Sequence, residues 1–264
     1  MQLSPKDQLK LAHAANILEN PSFTNKATKA VGSTVEKAVG ILPDQFTSSL
    51  TNITRTALEK SLDGALFTLP QRKYRKAWKK THQLLASVSG AVGGAFGLPA
   101  LAVELPVSTT IMLRSIADIA RSHGENINKP ETKLACLEVF ALSSGDPKNN
   151  SSETGYYAIR SLLAKSISDA VSQLTAQELS RQSSPALIKI LNAIAARFSI
   201  PVSEKIAAQS IPAIGAIGGA SINYMFIKYF QEIAEAHFTV RSLENKYTQA
   251  LVKKNFEQEI NGLS

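Results

Sequence analysis

Apolar residues recur along this chain mostly at three- and four-residue intervals, and no stretch alternates apolar and polar positions between hairpin turns. That pattern predicts an all-α protein. A first helix opens with Ser4 as N-cap, Pro5 at the first helical position and the acid Asp7 in the first turn. Leu9, Ala12, Ala15 and Ile17 supply its apolar positions. A second helix is expected over Ala27–Leu42, and Pro43-Asp44 opens a long amphipathic run marked by Phe46, Leu50, Ile53, Leu58, Leu62 and Leu66, which Pro70 ends. Pro106 is expected to separate an apolar segment, Leu84–Val103, from a helix over Val107–His123 that Gly124 stops. Further helices are predicted over Glu131–Leu142, from Tyr156 to Leu179, over Pro185–Phe198 and Val202–Gln209, and from Pro212 past Arg241, with a tail helix from Tyr247. The run SSGDPKNNSS at Ser143–Ser152 reads as a loop. The second half lacks an obvious core of its own, so a single domain over residues 1–264 is expected.

Two stretches carry no formal charge, between Lys80 and Glu104 and between Lys205 and Lys228. GAVGGA at Gly90–Ala95 lies in the first and returns as GAIGGA at Gly215–Ala220 in the second. IMLRSI at Ile111–Ile116 is likewise echoed by FTVRSL at Phe238–Leu243, at nearly the same offset. Duplication and coincidence in an Ala/Gly-rich chain both account for the echo. Gly90 and Gly94, Gly93 and Gly97, and Gly215 and Gly219 have the small-xxx-small spacing that lets helix backbones approach closely, and Gly218 joins them as a helix-packing position. The expectation is a multi-helix bundle with two central Gly/Ala-rich helices in a pseudo-duplicated arrangement. Each uncharged stretch is also long enough to cross a membrane. Serines, Pro99, Gln209 and Asn223 lower their hydrophobicity, which favours a buried pair over a span, with an apolar hairpin or lipid-accessible groove as the alternative.

Charge adds a direction to this picture. The chain has 264 residues and a net charge of +8, and residues 1–80 hold 13 Lys/Arg against 6 Asp/Glu. Residues 72–80, RKYRKAWKK, place Arg72, Lys73, Arg75, Lys76, Lys79 and Lys80 around Tyr74 and Trp78, immediately before the first uncharged stretch. Such a basic and aromatic collar suits the cytoplasmic surface of an anionic membrane. The alternative is a solvated helix face with Tyr74 and Trp78 packed inward. Nucleic acid is the weakest partner class, because no reader motif accompanies the basic cluster. A single cysteine, Cys136, excludes an internal disulfide, and the polar start lacks a secretory pattern, so a cytoplasmic location is expected.

Glu104, Arg114 and Asp118 stand among apolar neighbours, as do Asn223, Glu235 and Arg241 in the second half. Burial would force these groups to pair, so they are expected to form one polar cluster with Arg114 and Arg241 at its centre. That cluster reads either as ion pairs fixing helix register or as a clamp for a carboxylate or phosphate. His13, His82, His123 and His237 have no metal-ligand spacing, and phosphate-loop and serine-nucleophile motifs are absent, so neither metal nor cofactor is expected.

The runs GLPALAVELPVSTTIMLRSIADIARSHGENI and IPAIGAIGGASINYMFIKYFQEIAEAHFTVRSLENKY resemble the EcsC-type family, over about residues 80–250. The resemblance rests on the glycine segment, the acid-to-arginine run Glu104–Arg114, the element from Ile211-Pro212 to Asn223, and Phe238–Leu243. It sets residues 71–250 as the family-like core and leaves residues 1–70 outside. It implies a predominantly α-helical, bacterial protein, and it supplies no catalytic residue because the family has no established activity. The family takes its name from a protein encoded with an ABC transporter, so a membrane protein such as a transporter joins lipid among the expected partners. Together these readings point to a non-enzymatic protein held peripherally at the inner face of a membrane. The alternative is a hydrolase-like enzyme with a pocket around Glu104, Arg114, Asp118, Asn223 and Arg241.

Overall fold

The structure, a computed structural model, describes residues 2–19, 21–31, 44–66, 77–85, 97–144, 155–173, 185–210 and 219–262. Its helices are α1 (Pro5–Glu19), α2 (Phe23–Val31), α3 (Asp44–Leu66), α4 (Gly97–Ser122), α5 (Pro130–Ala141), α6 (Tyr156–Gln173), α7 (Pro185–Ser210), α8 (Gly219–Lys246) and α9 (Gln249–Asn261). Residues 79–85 form a further short helix, and no strand occurs among the described residues. The protein is an all-α, multi-helix bundle.

Local chemistry sets the helix ends. Ser4 Oγ accepts the Asp7 N–H at 3.3 Å, as an N-cap should, and Pro5 begins α1. Asp7 then accepts from Lys246 Nζ at 2.6 Å and from the Tyr247 hydroxyl at 2.8 Å, which ties α1 to the α8–α9 junction. These donors, Lys246 foremost, hold the Asp7 carboxyl well below the usual carboxylate range. Gly124 ends the turn after α4 at φ 89°, where a side chain would be strained.

Two expected breaks are absent. Helix α4 runs through Pro99 and Pro106, and α7 runs through Pro201. Pro99 stands in the first turn of α4, where its missing N–H has no intrahelical acceptor to serve. Pro106 withholds one intrahelical donor, from the carbonyl of the exposed residue Ala102. Thr110 Oγ1 donates to Pro106 O at 2.7 Å on the next turn, and Ser203 Oγ donates to Ile200 O at 2.7 Å beside Pro201. Tertiary packing on both sides carries the helices across. The expected helices also extended into 32–42 and 174–179, which lie outside the described residues, as does most of the loop at 143–152.

α8 is the hub, packing against α1, α2, α4, α5, α7 and α9, while α3 lies across α4 and α7. Phe23, Phe140, Phe198, Phe226, Tyr229 and Phe230 form one continuous set of ring contacts that joins α2, α5, α7 and α8. Among the described residues α7 is the one helix long and apolar enough to cross a membrane, yet half of that stretch is buried in the bundle. It also carries Lys205, wholly buried, and Arg197, which donates to the Ala141 and Ser144 carbonyls. In the structure α7 is a core helix. The arginine echoes lie on α4 and α8, which pack together; Gly97 and Gly219 open those two helices. Gly90, Gly93, Gly94, Gly215 and Gly218 lie outside the described residues.

Candidate functional site: an outward apolar strap on a polar seat

Successive helical residues turn by about 100°, so positions 80, 84, 81 and 85 fall on one arc of the helix 79–85 while 82, 79 and 83 fall on the other, and Ala77 and Trp78 precede its first turn. The outer arc carries exposed leucines where a surface helix is normally polar throughout. Trp78 is 59% exposed, Leu84 67% and Leu85 52%, and Lys80 and Thr81 lie exposed among them. The inner arc holds the polar Lys79, His82 and Gln83, and Ala77 is the apolar residue of the segment that packs on the core. This is an inverted amphipathic helix. We call it the strap.

Its seat is built from two pairs of side chains, one turn apart on neighbouring helices. Ser115 and Asp118 lie on α4, and Gln231 and Glu235 lie on α8. Asp118 Oδ2 accepts the Trp78 N–H at 2.5 Å and also pairs with Arg121. Glu235 Oε1 holds Lys79 Nζ at 2.5 Å, and its other oxygen lies 3.5 Å from His123 Nε2. Gln231 Nε2 donates to Ser115 Oγ at 2.8 Å and to the Lys79 carbonyl at 3.2 Å, while Gln231 Oε1 accepts from Gln83 Nε2 at 2.6 Å. His82 lies against this seat, and burial lowers its pKa, with Asp118 opposing and Arg114 reinforcing the shift.

The apolar face continues past the strap. Val107 stands eleven residues before Asp118 and Tyr224 seven before Gln231, whole numbers of turns that keep them on the strap's side of α4 and α8. Both are exposed, as is Val103 one turn further at 72%. Lys228, between Tyr224 and Gln231, is exposed too. Trp78 therefore points outward and is not packed against the core. Of the eight residues expected at a membrane surface, Lys80 is exposed and Lys79 is held by Glu235, while Arg72, Lys73, Tyr74, Arg75 and Lys76 lie outside the described residues.

The six polar residues expected to share one cluster are separated into three. Because α4 and α8 are unbroken, Glu104 and Asp118 are about 21 Å apart along one helix, and Asn223 and Arg241 about 27 Å along the other. At one end Glu104 Oε1 accepts from Lys205 Nζ at 2.7 Å and from Asn223 Nδ2 at 3.0 Å, all three buried. Asp118 and Glu235 form the strap's seat, with Arg114 half-buried near His82. At the other end Arg241 Nε donates to Glu125 Oε1 at 2.8 Å, and Thr132 donates to Glu125 Oε2. The three groups lie apart along α4 and α8, so the six residues do not share one site.

A further network went unforeseen. Arg160 grips Glu244 through two hydrogen bonds of 2.8 and 3.0 Å and donates to the Tyr156 hydroxyl at 3.2 Å. Arginine can only donate, so the Tyr156 oxygen accepts from Arg160 and its own proton can go to His237 Nδ1, 3.0 Å away. On that assignment His237 is the Nε2–H tautomer, and Nε2 lies 3.7 Å from Glu138 Oε2, beyond hydrogen-bond reach. Burial pushes the Glu138 carboxyl up to about 7, against the pull of Arg160 and Arg241, and drives His237 well below its ordinary value. Tyr156 and His237 are completely buried, which marks a core network.

The fold and its surface define an α-helical protein that turns an apolar, basic-edged strap to the outside. Its sequence matches the EcsC protein family over residues 8–243, and the chain belongs to that family. The match takes in the N-terminal helices from residue 8, which the sequence resemblance had left outside. No curated protein and no solved structure matches the chain.

Proposed function

We propose that this is a non-enzymatic protein that docks peripherally on the cytoplasmic face of an anionic membrane, laying the strap and the exposed face of α4 and α8 into the headgroup region. The observation that carries this reading is the outward placement of Trp78, Leu84 and Leu85 on a segment whose polar side is turned inward. Tryptophan is favoured at the level of lipid headgroups, where its ring is half wet, and leucines beside it add apolar area. Lys80 and Lys228 flank the face, and each lysine near an anionic surface contributes about 1 kcal/mol at modest salt. The basic run 72–76 precedes the strap in sequence and adds four charges to the same neighbourhood of the chain. A membrane protein such as a transporter is a further partner compatible with docking at that surface.

Flotation with liposomes tests the proposal. Wild-type protein is expected to float with phosphatidylserine-containing vesicles at low salt, less at physiological salt, and weakly with neutral vesicles. Replacing Trp78, Leu84 and Leu85 together by serine removes side chains that are already exposed, so the fold should be retained. Losing about half of the full transfer energy at each position gives roughly 3 kcal/mol, a binding loss of about 100-fold. Undiminished flotation of the triple variant would overturn the placement of the membrane face.

A further inference from the structure

We propose that residues 77–85 are a releasable strap, held on α4 and α8 by a polar latch and freed as a unit when the protein meets its membrane. This deepens the docking reading above and rests on it for the destination of the strap, though not for the release itself.

The argument begins with what opening would expose. An ordinary amphipathic helix leaves its core only by uncovering apolar surface, and that cost holds it in place. The strap is the reverse. Its seat consists of Ser115, Asp118, Gln231 and Glu235, and the strap offers them a backbone N–H, a backbone carbonyl, an ammonium and an amide. Every one of these groups exchanges its partner for water on opening, so each bond contributes far less than its gross strength, the Trp78 N–H bond to the buried Asp118 carboxylate being the strongest of the set. The Lys79–Glu235 pair is also partly exposed, at 42% and 32% for the two side chains, and so is weakened by salt and by competing charge. Apolar retention comes from Ala77 at one end of the segment.

Leaving the seat has a specific consequence at a lipid surface. While latched, Trp78, Leu84 and Leu85 reach the membrane only as deeply as the body of the bundle allows. Released, the segment lies in the interface as a short amphipathic helix and buries both leucines and the indole, while Lys79 gains an anionic lipid in place of Glu235. Local opening of this kind draws on the least stable part of a structure, where backbone groups are bonded to side chains and few apolar contacts are lost.

Two substitutions cut the latch from opposite sides and change net charge in opposite directions. Glu235→Gln removes the seat's carboxylate, and Lys79→Met removes the strap's ammonium. In hydrogen exchange without lipid, both are expected to raise the rate over residues 77–85 by about tenfold, with α4 and α8 unchanged. Unchanged exchange in both variants overturns the latch. On anionic vesicles, Glu235→Gln is compared with Glu257→Gln, which makes the same charge change on α9, far from the strap in sequence. Binding tighter than that control by about three- to tenfold supports release onto the membrane. Faster exchange with binding equal to the control overturns that step. If wild-type protein binds no vesicle, the docking reading falls, and the exchange rates alone decide the latch.

Discussion

Glu104→Ala is expected to lower the stability of the protein by about 3–5 kcal/mol, the range found when one partner of a buried ion pair is removed. The partner left behind is Lys205, wholly buried on α7, with its ammonium 2.7 Å from Glu104 Oε1 and over the face of Phe226. Burial already lowers the Lys205 pKa, and Glu104 is what opposes that shift. Without the carboxylate, the chain must either bury an unpaired cation or give up the proton, and Asn223 loses its acceptor as well. The loss is a large fraction of the 5–15 kcal/mol typical of a folded domain. The double variant Glu104→Leu/Lys205→Met removes both charges and is expected to recover most of it, since buried pairs are often no better than apolar residues of similar volume. Urea denaturation of the three proteins measures this. A single variant within 1 kcal/mol of wild type would mean that the pair is hydrated, contrary to its burial.

Glu138→Gln is expected to stabilise the protein at neutral pH. Burial lifts the Glu138 carboxyl from its ordinary 4.5 to about 7. The sign follows from proton counting: between those values the unfolded chain has released the proton and the folded chain retains it, so stability falls as pH rises. The loss amounts to about 3 kcal/mol by pH 7, at 1.36 kcal/mol per pH unit. A neutral amide does not titrate. Variant and wild type should therefore match near pH 4, and the variant should be more stable by about 3 kcal/mol at pH 7 in the same denaturation experiment. A variant that is less stable at pH 7 would show that the carboxylate is held ionised there, by Arg160 and Arg241 together.

The helical class and most helix starts were legible because capping and periodicity are local. Ser4, Pro5 and Gly124 act as their sequence contexts predict. Prolines 106 and 201 misled, because propensity is a weak prior against a helix packed on several sides. That error propagated to the site: a broken α4 permits one cluster of Glu104, Arg114 and Asp118, and a continuous one forbids it. Lys205 was visible as the charge that closes an uncharged stretch, but its pairing with Glu104 spans 101 residues, and no local spacing encodes such a contact. Trp78 was legible as a candidate and not as a direction. The strap's inversion depends on Gln231 and Ser115, ordinary surface residues in sequence that become a seat only when α4 and α8 pack together.

Trp78 is the single tryptophan of the chain, so emission excited selectively from tryptophan, and not from the tyrosines, reports on the strap alone. The most direct test of the central claim is the emission of wild-type protein titrated with anionic vesicles, with and without brominated acyl chains. Docking through the strap predicts a blue shift on binding and strong quenching by lipids brominated near the headgroup end of the chain. Protein that binds the vesicles while Trp78 keeps its aqueous emission and escapes quenching would contradict the account, placing the membrane contact on another face.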